Sequence, residues 1–123
     1  MNDETAHPNE DAPFPHQKLD AYRLSREMTE LVFAAKIRNA ELRDQAERSS
    51  TSCFLAINEG LPNDRPAMRR TYFERARNSL FELVGAIDLA SRVGFMRRED
   101  ARAIHAIAAR VRAILVALLR GLR

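Results

Sequence analysis

The chain has few of the residues that build most catalytic and metal-binding sites. Its 123 residues include one cysteine, Cys53, which excludes an internal disulfide and any site with several cysteine ligands. The four glycines are scattered, so no glycine-rich loop is present to hold a phosphate. No apolar run reaches the roughly 18 residues of a membrane span, and the start of the chain is acidic rather than leader-like. We therefore expect a cytoplasmic protein that uses no cofactor and binds no membrane.

Histidine is also rare, and its placement argues against a metal centre. His7 and His16 lie near the start of the chain, where Glu4 and His7 form the only Glu-x-x-His spacing. Carboxylate-bridged metal centres in helical bundles need such pairs on facing helices. Cys53 has apolar neighbours at helical spacing, which indicates a buried thiol rather than a nucleophile. We predict no metal site and no catalytic residue, and hence a protein that is not an enzyme.

The positive charge is concentrated after the first 18 residues and consists almost entirely of arginine. Of the formal net charge of +3, residues 1–18 contribute −3, so the rest of the chain carries +6. Lys18 and Lys36 are the only lysines. Arginine suits planar, bidentate contact with phosphate or carboxylate. This composition favours an acidic partner such as RNA, DNA or an acidic protein surface.

Residues 1–18 differ in composition from the rest of the chain. They combine three prolines with acidic and polar residues and cannot build a packed face, which predicts a flexible arm. From Leu19 onward the apolar residues follow a helical period, which predicts Asn39 as an N-cap and Gly60 as a helix end. The helical stretches are about 19–36, 40–60, 67–93 and 97–121. We predict an all-α, antiparallel up-and-down four-helix bundle over residues 19–123.

The fourth stretch carries a one-sided row of basic residues. At about 100° of rotation per residue, they point within about 40° of one direction, opposite the apolar face. Acidic residues of this helix occur only in its first turn, as Glu99 and Asp100. A solvated helix face and a surface that follows nucleic-acid phosphates both fit this pattern. We call the row the arginine stripe, and its members are Arg98, Arg102, His105, Arg112, Arg120 and Arg123.

The third stretch has apolar residues outside its main apolar face. Phe81, Leu89 and Val93 are rotated well away from the positions that would face the core. They indicate either an unusually wide core face or an interface between subunits. We favour the interface and predict a homo-oligomer. We number this third helical stretch, about 67–93, as α3 and call the three residues the α3 patch.

The second stretch contains four consecutive hydroxyl residues, at positions 49 to 52, in the sequence QAERSSTSCFLAINEG. Small hydroxyl side chains can bond to the preceding helical turn and allow a neighbouring helix to approach. Arg48, Ser52 and Glu59 share one side of this helix. If that side faces Glu82, a semi-buried Arg48–Glu82 network results, and loss of either residue should destabilise the fold strongly.

Several of these residues together resemble a known family. The sequence is similar to the bacterial four helix bundle family, which includes proteins encoded by 23S ribosomal RNA intervening sequences and the accessory variability determinant of diversity-generating retroelements. The resemblance covers about residues 19–120. This chain has Ala56 and Asn58 where the family usually has asparagine and alanine, so the amide is displaced by two positions. The matching residues are Gln45, Arg48, Ser52, Ile57, Glu59, Gly60, Phe73, Ala76, Ser79, Leu80, Glu82, Leu83, Leu89, Ala90 and Gly94.

The resemblance implies a non-enzymatic bundle that assembles as a ring, typically a pentamer, with a basic surface. In the retroelement members that ring binds a reverse transcriptase and nucleic acid. We therefore expect a homo-oligomer that binds RNA or DNA, or that serves as an accessory to a reverse transcriptase. The alternative is a protein-binding scaffold or adaptor with no nucleic-acid role.

Overall fold

The computed structural model describes residues 14–122, apart from the side chains of Gln17 and Lys18, and this part of the chain is helical with no strand. It confirms the all-α four-helix bundle. A short 3-10 helix, Pro15–Lys18, precedes four α-helices. Residues 1–13 of the expected arm, and Arg123 of the stripe, lie outside the described residues. The α-helices are α1 (Asp20–Ala34), α2 (Ala40–Gly60), α3 (Pro66–Arg92) and α4 (Arg98–Arg120).

The helices form a closed arrangement in which each one packs on two others. Helix α1 contacts α2 and α4, while α3 contacts α2 and α4, and the most extensive packing joins α2 to α3. Short connections between consecutive helices require them to run in alternating directions. The α1–α2 and α3–α4 connections consequently lie at the same end of the bundle, where the backbone N–H of Arg38 donates to the carbonyl of Phe95 at 2.8 Å.

Polar contacts at the ends of the helices explain their bounds. The side-chain oxygen of Asn39 accepts a hydrogen bond from the backbone N–H of Leu42 at 2.9 Å, which confirms the predicted N-cap of α2. Pro66 lies in the first turn of α3, where its missing N–H costs no helical hydrogen bond. Beyond the C-terminus of α2, Arg69 donates to the carbonyls of Gly60, Leu61 and Asn63. These bonds satisfy acceptors that the end of a helix leaves open.

The hydroxyl residues of α2 are packing residues, as predicted. Ser50 is fully buried and Ser49 is nearly so. Ser49 donates to the carbonyl of Gln45 at 2.7 Å, four residues earlier in the same helix. Ser52 accepts a hydrogen bond from Ser79 of α3 at 3.1 Å, so it links the two helices. No buried side-chain nitrogen or oxygen within residues 14–122 is left without a partner. Small hydroxyls therefore fill this interface without leaving unpaired polar atoms.

The single cysteine belongs to the same buried layer. Cys53 has no exposed surface, as predicted. Burial disfavours the charged thiolate and raises the pKa of Cys53 to about 12. The thiol therefore stays protonated at neutral pH and contributes to packing as a small apolar group.

Gly60 lies at a close approach between α2 and α3. A Cβ atom at this position would lie 2.7 Å from Cε1 of Phe73 and 3.1 Å from Cβ of Tyr72. Phe73 is itself fully buried and cannot move into solvent. The glycine thus does more than end the helix, because the absence of a side chain lets the ring of Phe73 pack against the α2 backbone.

The displaced amide of Asn58 has a specific partner. Residues 15–18 belong to the predicted arm and form the 3-10 helix beside the C-terminal part of α2. Nε2 of His16 lies 2.9 Å from Oδ1 of Asn58. The His16 ring also packs edge-on against the Tyr22 ring, with the two ring centroids 5.6 Å apart. An asparagine at position 58 therefore joins the segment before α1 to the bundle.

We predict opposite effects from the same substitution at two glycines. Gly60→Ala should lower the free energy of unfolding by about 1–3 kcal/mol, because its methyl group overlaps the Phe73 ring. Gly85→Ala, within α3, should raise it by about 0.5–1 kcal/mol, since a Cβ there meets no atom within 4 Å. Urea unfolding followed by circular dichroism measures both. Equal effects of the two substitutions would contradict the close approach at Gly60.

Candidate nucleic-acid interface

The described members of the arginine stripe occupy one solvent-facing side of α4. All five are exposed. The opposite side of the same helix is buried and includes Ile104, Val111 and Leu115. The one-sided distribution inferred from helical geometry is therefore present in the fold. The five residues are Arg98, Arg102, His105, Arg112 and Arg120.

The described arginines of the stripe have no acidic partner, a property they share with Arg38 and Arg110 but not with five other arginines of the bundle. The ion pairs within residues 14–122 engage five arginines, and none of these belongs to the stripe. Arg97, one residue before the stripe, shows the contrast. It lies 3.2 Å from Asp100, and this carboxylate raises its pKa. The stripe guanidiniums have no such competitor for a phosphate. The paired arginines are Arg23, Arg26, Arg48, Arg92 and Arg97.

Part of the stripe borders a groove between α3 and α4. Arg98, Arg102 and His105 line this α3/α4 groove, which has a volume of about 410 Å³. From α3, Ser91 and Arg92 add a hydroxyl group and a further guanidinium. Arg92 is partly neutralised by Asp88, which lies 3.1 Å away in the preceding turn. Side chains of both helices can therefore contact an anion in the groove. Arg112 and Arg120 do not line it.

Ser91 and Arg92 were not identified from the sequence. Both residues lie on α3, whereas the stripe lies on α4. The periodicity of one helix does not show which residues of its neighbour face it. The only available signal was the antiparallel order of α3 and α4. This order places the C-terminal end of α3 beside the N-terminal end of α4, where the stripe begins.

The α3 patch is exposed in the single chain. Phe81, Leu89 and Val93 have 53%, 50% and 52% of their surface accessible. The alternative of a wide core face is therefore wrong for these three side chains. Gly85, between them in sequence, is also exposed, and no atom lies within 4 Å of its would-be Cβ. An apolar surface of this kind is a suitable contact for another protein chain.

The predicted Arg48–Glu82 pair is wrong. Arg48 instead forms an ion pair with Asp44 at 3.4 Å, one turn earlier on α2. Glu82 is exposed and accepts a hydrogen bond from Gln45 at 3.4 Å. Arg48, Ser52 and Glu82 do border one shallow hollow, so the sequence correctly placed them near each other. Water reaches both charges, so the low-dielectric environment that would favour a direct pair is missing.

A second hollow, between α1 and α2, was not predicted. This α1/α2 hollow has a volume of about 440 Å³ and contains two exposed apolar side chains, Phe33 and Leu55. Its rim carries charges of both signs, including Arg48 and Glu59, two members of the network predicted from the sequence. Ser52 lines it as well. Because its charges are mixed, this hollow is less suited to a polyanion than the stripe is.

Metal-binding clusters and membrane-spanning helices are both absent from the described part of the chain. Residues 14–122 contain no group of three or more histidine, cysteine, aspartate or glutamate side chains placed to hold a metal ion. None of the helices described for this chain is long and apolar enough to cross a membrane.

Comparison with known families identifies a match over most of the chain. The sequence profile of the family described as 23S rRNA-intervening sequence protein matches residues 17–117. The matched range includes the 3-10 helix only in part and extends into the last two turns of α4. No curated protein matches the chain.

The exposed positions of Arg48 and Glu82 lead to a prediction. Arg48→Ala and Glu82→Ala should each change the free energy of unfolding by less than about 1 kcal/mol, since solvent-exposed ion pairs contribute little. Ser50→Leu is the matched control on α2, and it should destabilise by about 1–3 kcal/mol because that position is fully buried. Urea unfolding of the three variants provides the comparison. If either charge variant lowered the free energy of unfolding by several kcal/mol, the result would support the buried Arg48–Glu82 network instead.

Proposed function

The chain belongs to the 23S rRNA-intervening sequence protein family, and we propose that it is a non-enzymatic, homo-oligomeric bundle that binds nucleic acid through the arginine stripe. RNA is the first partner to test, because the stripe presents several guanidiniums in a row to the phosphates of a single strand. A cytoplasmic location forms part of the proposal, since RNA is available there. A role as accessory to a reverse transcriptase is a narrower form of the same proposal.

The observation that carries the proposal is the one-sided row of exposed arginines along α4, which no described acidic side chain neutralises. Arg98, Arg102 and Arg112 are exposed and form no ion pair within the described chain. The stripe extends along a helix of 23 residues, which corresponds to roughly 35 Å. A helix of this length can span several successive phosphates of a nucleic-acid strand. No aromatic residue lies on the stripe, so we expect phosphate contact without reading of the bases.

Self-association would strengthen such binding. The α3 patch supports a homo-oligomer, because its three exposed apolar side chains are removed from water when another subunit covers them. Each added subunit would supply another stripe to the same nucleic-acid chain, and affinity rises steeply with the number of phosphates bound. The pentamer that the family resemblance implies is the specific assembly we propose.

A protein-binding scaffold is the second candidate, and the α1/α2 hollow supports it. Phe33 and Leu55 are 54% and 48% exposed and lie among acidic and basic side chains. An apolar centre with a charged rim is typical of protein–protein contact surfaces. In this candidate function, the stripe would meet acidic protein surfaces or water.

We predict a steep salt dependence of RNA binding. Fluorescence anisotropy with a labelled single-stranded RNA should show affinity that falls log-linearly with salt. The double variant Arg102→Glu/Arg112→Glu should bind at least about tenfold more weakly at low salt. The slope of its salt dependence should decrease by about 1 for each phosphate that the variant no longer binds.

The matched control for this experiment is Arg110→Glu. Arg110 is an exposed arginine of the same helix that lies outside the stripe, so its reversal should have a much smaller effect. No binding of RNA or DNA at low salt would exclude the nucleic-acid role and leave the scaffold as the better candidate. Equal losses of affinity from Arg110→Glu and from each single stripe reversal would exclude the stripe as the specific surface.

The oligomer makes a separate prediction. Size-exclusion chromatography with light scattering should give a multiple of the 14.0 kDa chain mass, and about five times that mass for the pentamer. Leu89→Glu should shift the protein to the monomer without loss of helicity, because it places a charge in the covered patch. Met68→Glu, at a 38% exposed site of α3 outside the patch, is the control and should not change the mass. A wild-type monomer at high concentration would rule out this interface.

A further inference from the structure

A second basic site lies where the α1–α2 and α3–α4 connections meet. A pocket of about 520 Å³ at this end of the bundle is lined by Lys36, Arg38 and Arg97, together with Asp100. We call it the loop-end pocket. Its three basic residues come from two segments, since Lys36 and Arg38 lie in the α1–α2 connection and Arg97 is the residue before α4. No helical pattern in the sequence groups them, so the pocket is a product of the fold.

The basic residues of the loop-end pocket exceed its acidic ones. Asp100 is already engaged by Arg97, which donates to it at 3.2 and 3.3 Å. Lys36 and Arg38, both exposed, have no acidic side chain within ion-pair distance in the described chain. The pocket therefore presents two cations that are not neutralised. A ligand of complementary charge carries about two negative charges, as a terminal phosphate does near neutral pH.

The backbone around the pocket is held in place by contacts between the two connections. The main-chain N–H of Arg38 donates to the carbonyl of Phe95 at 2.8 Å, and its guanidinium donates to the carbonyl of Gly94 at 2.5 Å. Ile37 and Met96, on either side of these bonds, are buried. The positions of Lys36 and Arg97 are consequently fixed relative to each other before any ligand arrives. Binding to a preorganised site loses less conformational freedom.

Lys36 has an unusual backbone conformation. Its φ of 52° is positive, and no other non-glycine residue among those described shares this feature. The position directly after a helix commonly takes this left-handed conformation, and glycine or asparagine normally occupies it. A lysine there is strained, and strain of this kind often accompanies function. What lysine adds over glycine at this position is an ammonium group beside the pocket.

We propose that the loop-end pocket binds a terminal phosphate, with Lys36 and Arg38 as its main contacts and Arg97 as a third. The phosphate has two possible sources, the phosphorylated end of a nucleic-acid strand or a small free phosphate compound. The strand-end form rests on the proposed function, since the stripe begins at Arg98, next to Arg97. Binding of a free phosphate compound does not depend on nucleic-acid binding by the stripe.

The first experiment uses the small anions alone. Titration of inorganic phosphate and pyrophosphate into ¹⁵N-labelled full-length protein should shift the amide resonances of residues 35–38 and 97–100 in a saturable manner. Chloride at matched ionic strength controls for general screening. Shifts spread evenly over all exposed arginines, or no shifts in these two segments, would overturn the proposal.

The second experiment separates the two sources. Anisotropy should show a 5′-phosphorylated single-stranded RNA binding about five- to tenfold more tightly than its 5′-hydroxyl counterpart if strand ends occupy the pocket, and pyrophosphate should abolish the difference. Equal affinities, with saturable shifts from pyrophosphate, would assign the pocket to free phosphate compounds. If no RNA binds but the shifts occur, the proposed function fails while the pocket stands. Equal affinities with no shifts would refute the pocket.

The variant Lys36→Gly is the sharpest test of the role of the Lys36 side chain. Glycine adopts a positive φ readily, so this variant should be at least as stable as the natural protein while its phosphate affinity falls at least about fivefold. Arg110→Gln, which removes one exposed charge from α4 far from residue 36 in the chain, should retain the affinity. Unchanged phosphate affinity in folded Lys36→Gly would exclude Lys36 as a ligand.

Discussion

The close packing of α2 against α3 is the constraint on which the rest of the structure depends. Side chains of minimal size form this contact, with Gly60 against the Phe73 ring and Ser52 hydrogen-bonded to Ser79. Because Ser49 and Ser50 bond to carbonyls of their own helix, the interface needs no outside partner for its polar atoms. The remaining helices pack on this pair and complete a core that leaves the charged residues outside.

The distribution of those outer charges then decides what the surface can bind. Several arginines of α1, α2 and the end of α3 form ion pairs within the same helix, as Arg26 does with Glu30 and Arg48 with Asp44. Beyond its first turn α4 has no acidic residue, so its outward arginines have no intrahelical partner. Those arginines and the α3 patch together leave one basic and one apolar surface for other molecules.

The properties that depend on one helix could be predicted from the sequence, and those that depend on two could not. The four helices, the Asn39 cap, the buried Cys53 and the one-sided stripe follow from local pattern. The Arg48–Glu82 pair was predicted wrongly because helical spacing shows which side a residue faces but not which residue lies opposite. The partner of Asn58, the α1/α2 hollow and the loop-end pocket require the arrangement of separate segments, which no periodicity contains.

The most direct test of the unpaired stripe observes the arginine side chains themselves. In ¹⁵N-labelled protein, the Nε–Hε resonances report each guanidinium while single-stranded RNA is added at low salt. The structure predicts that signals of Arg98, Arg102 and Arg112 shift first, whereas those of Arg23 and Arg26, which are paired with acids, stay in place. Shifts confined to the paired arginines, or to the backbone amides around the α1/α2 hollow, would contradict it.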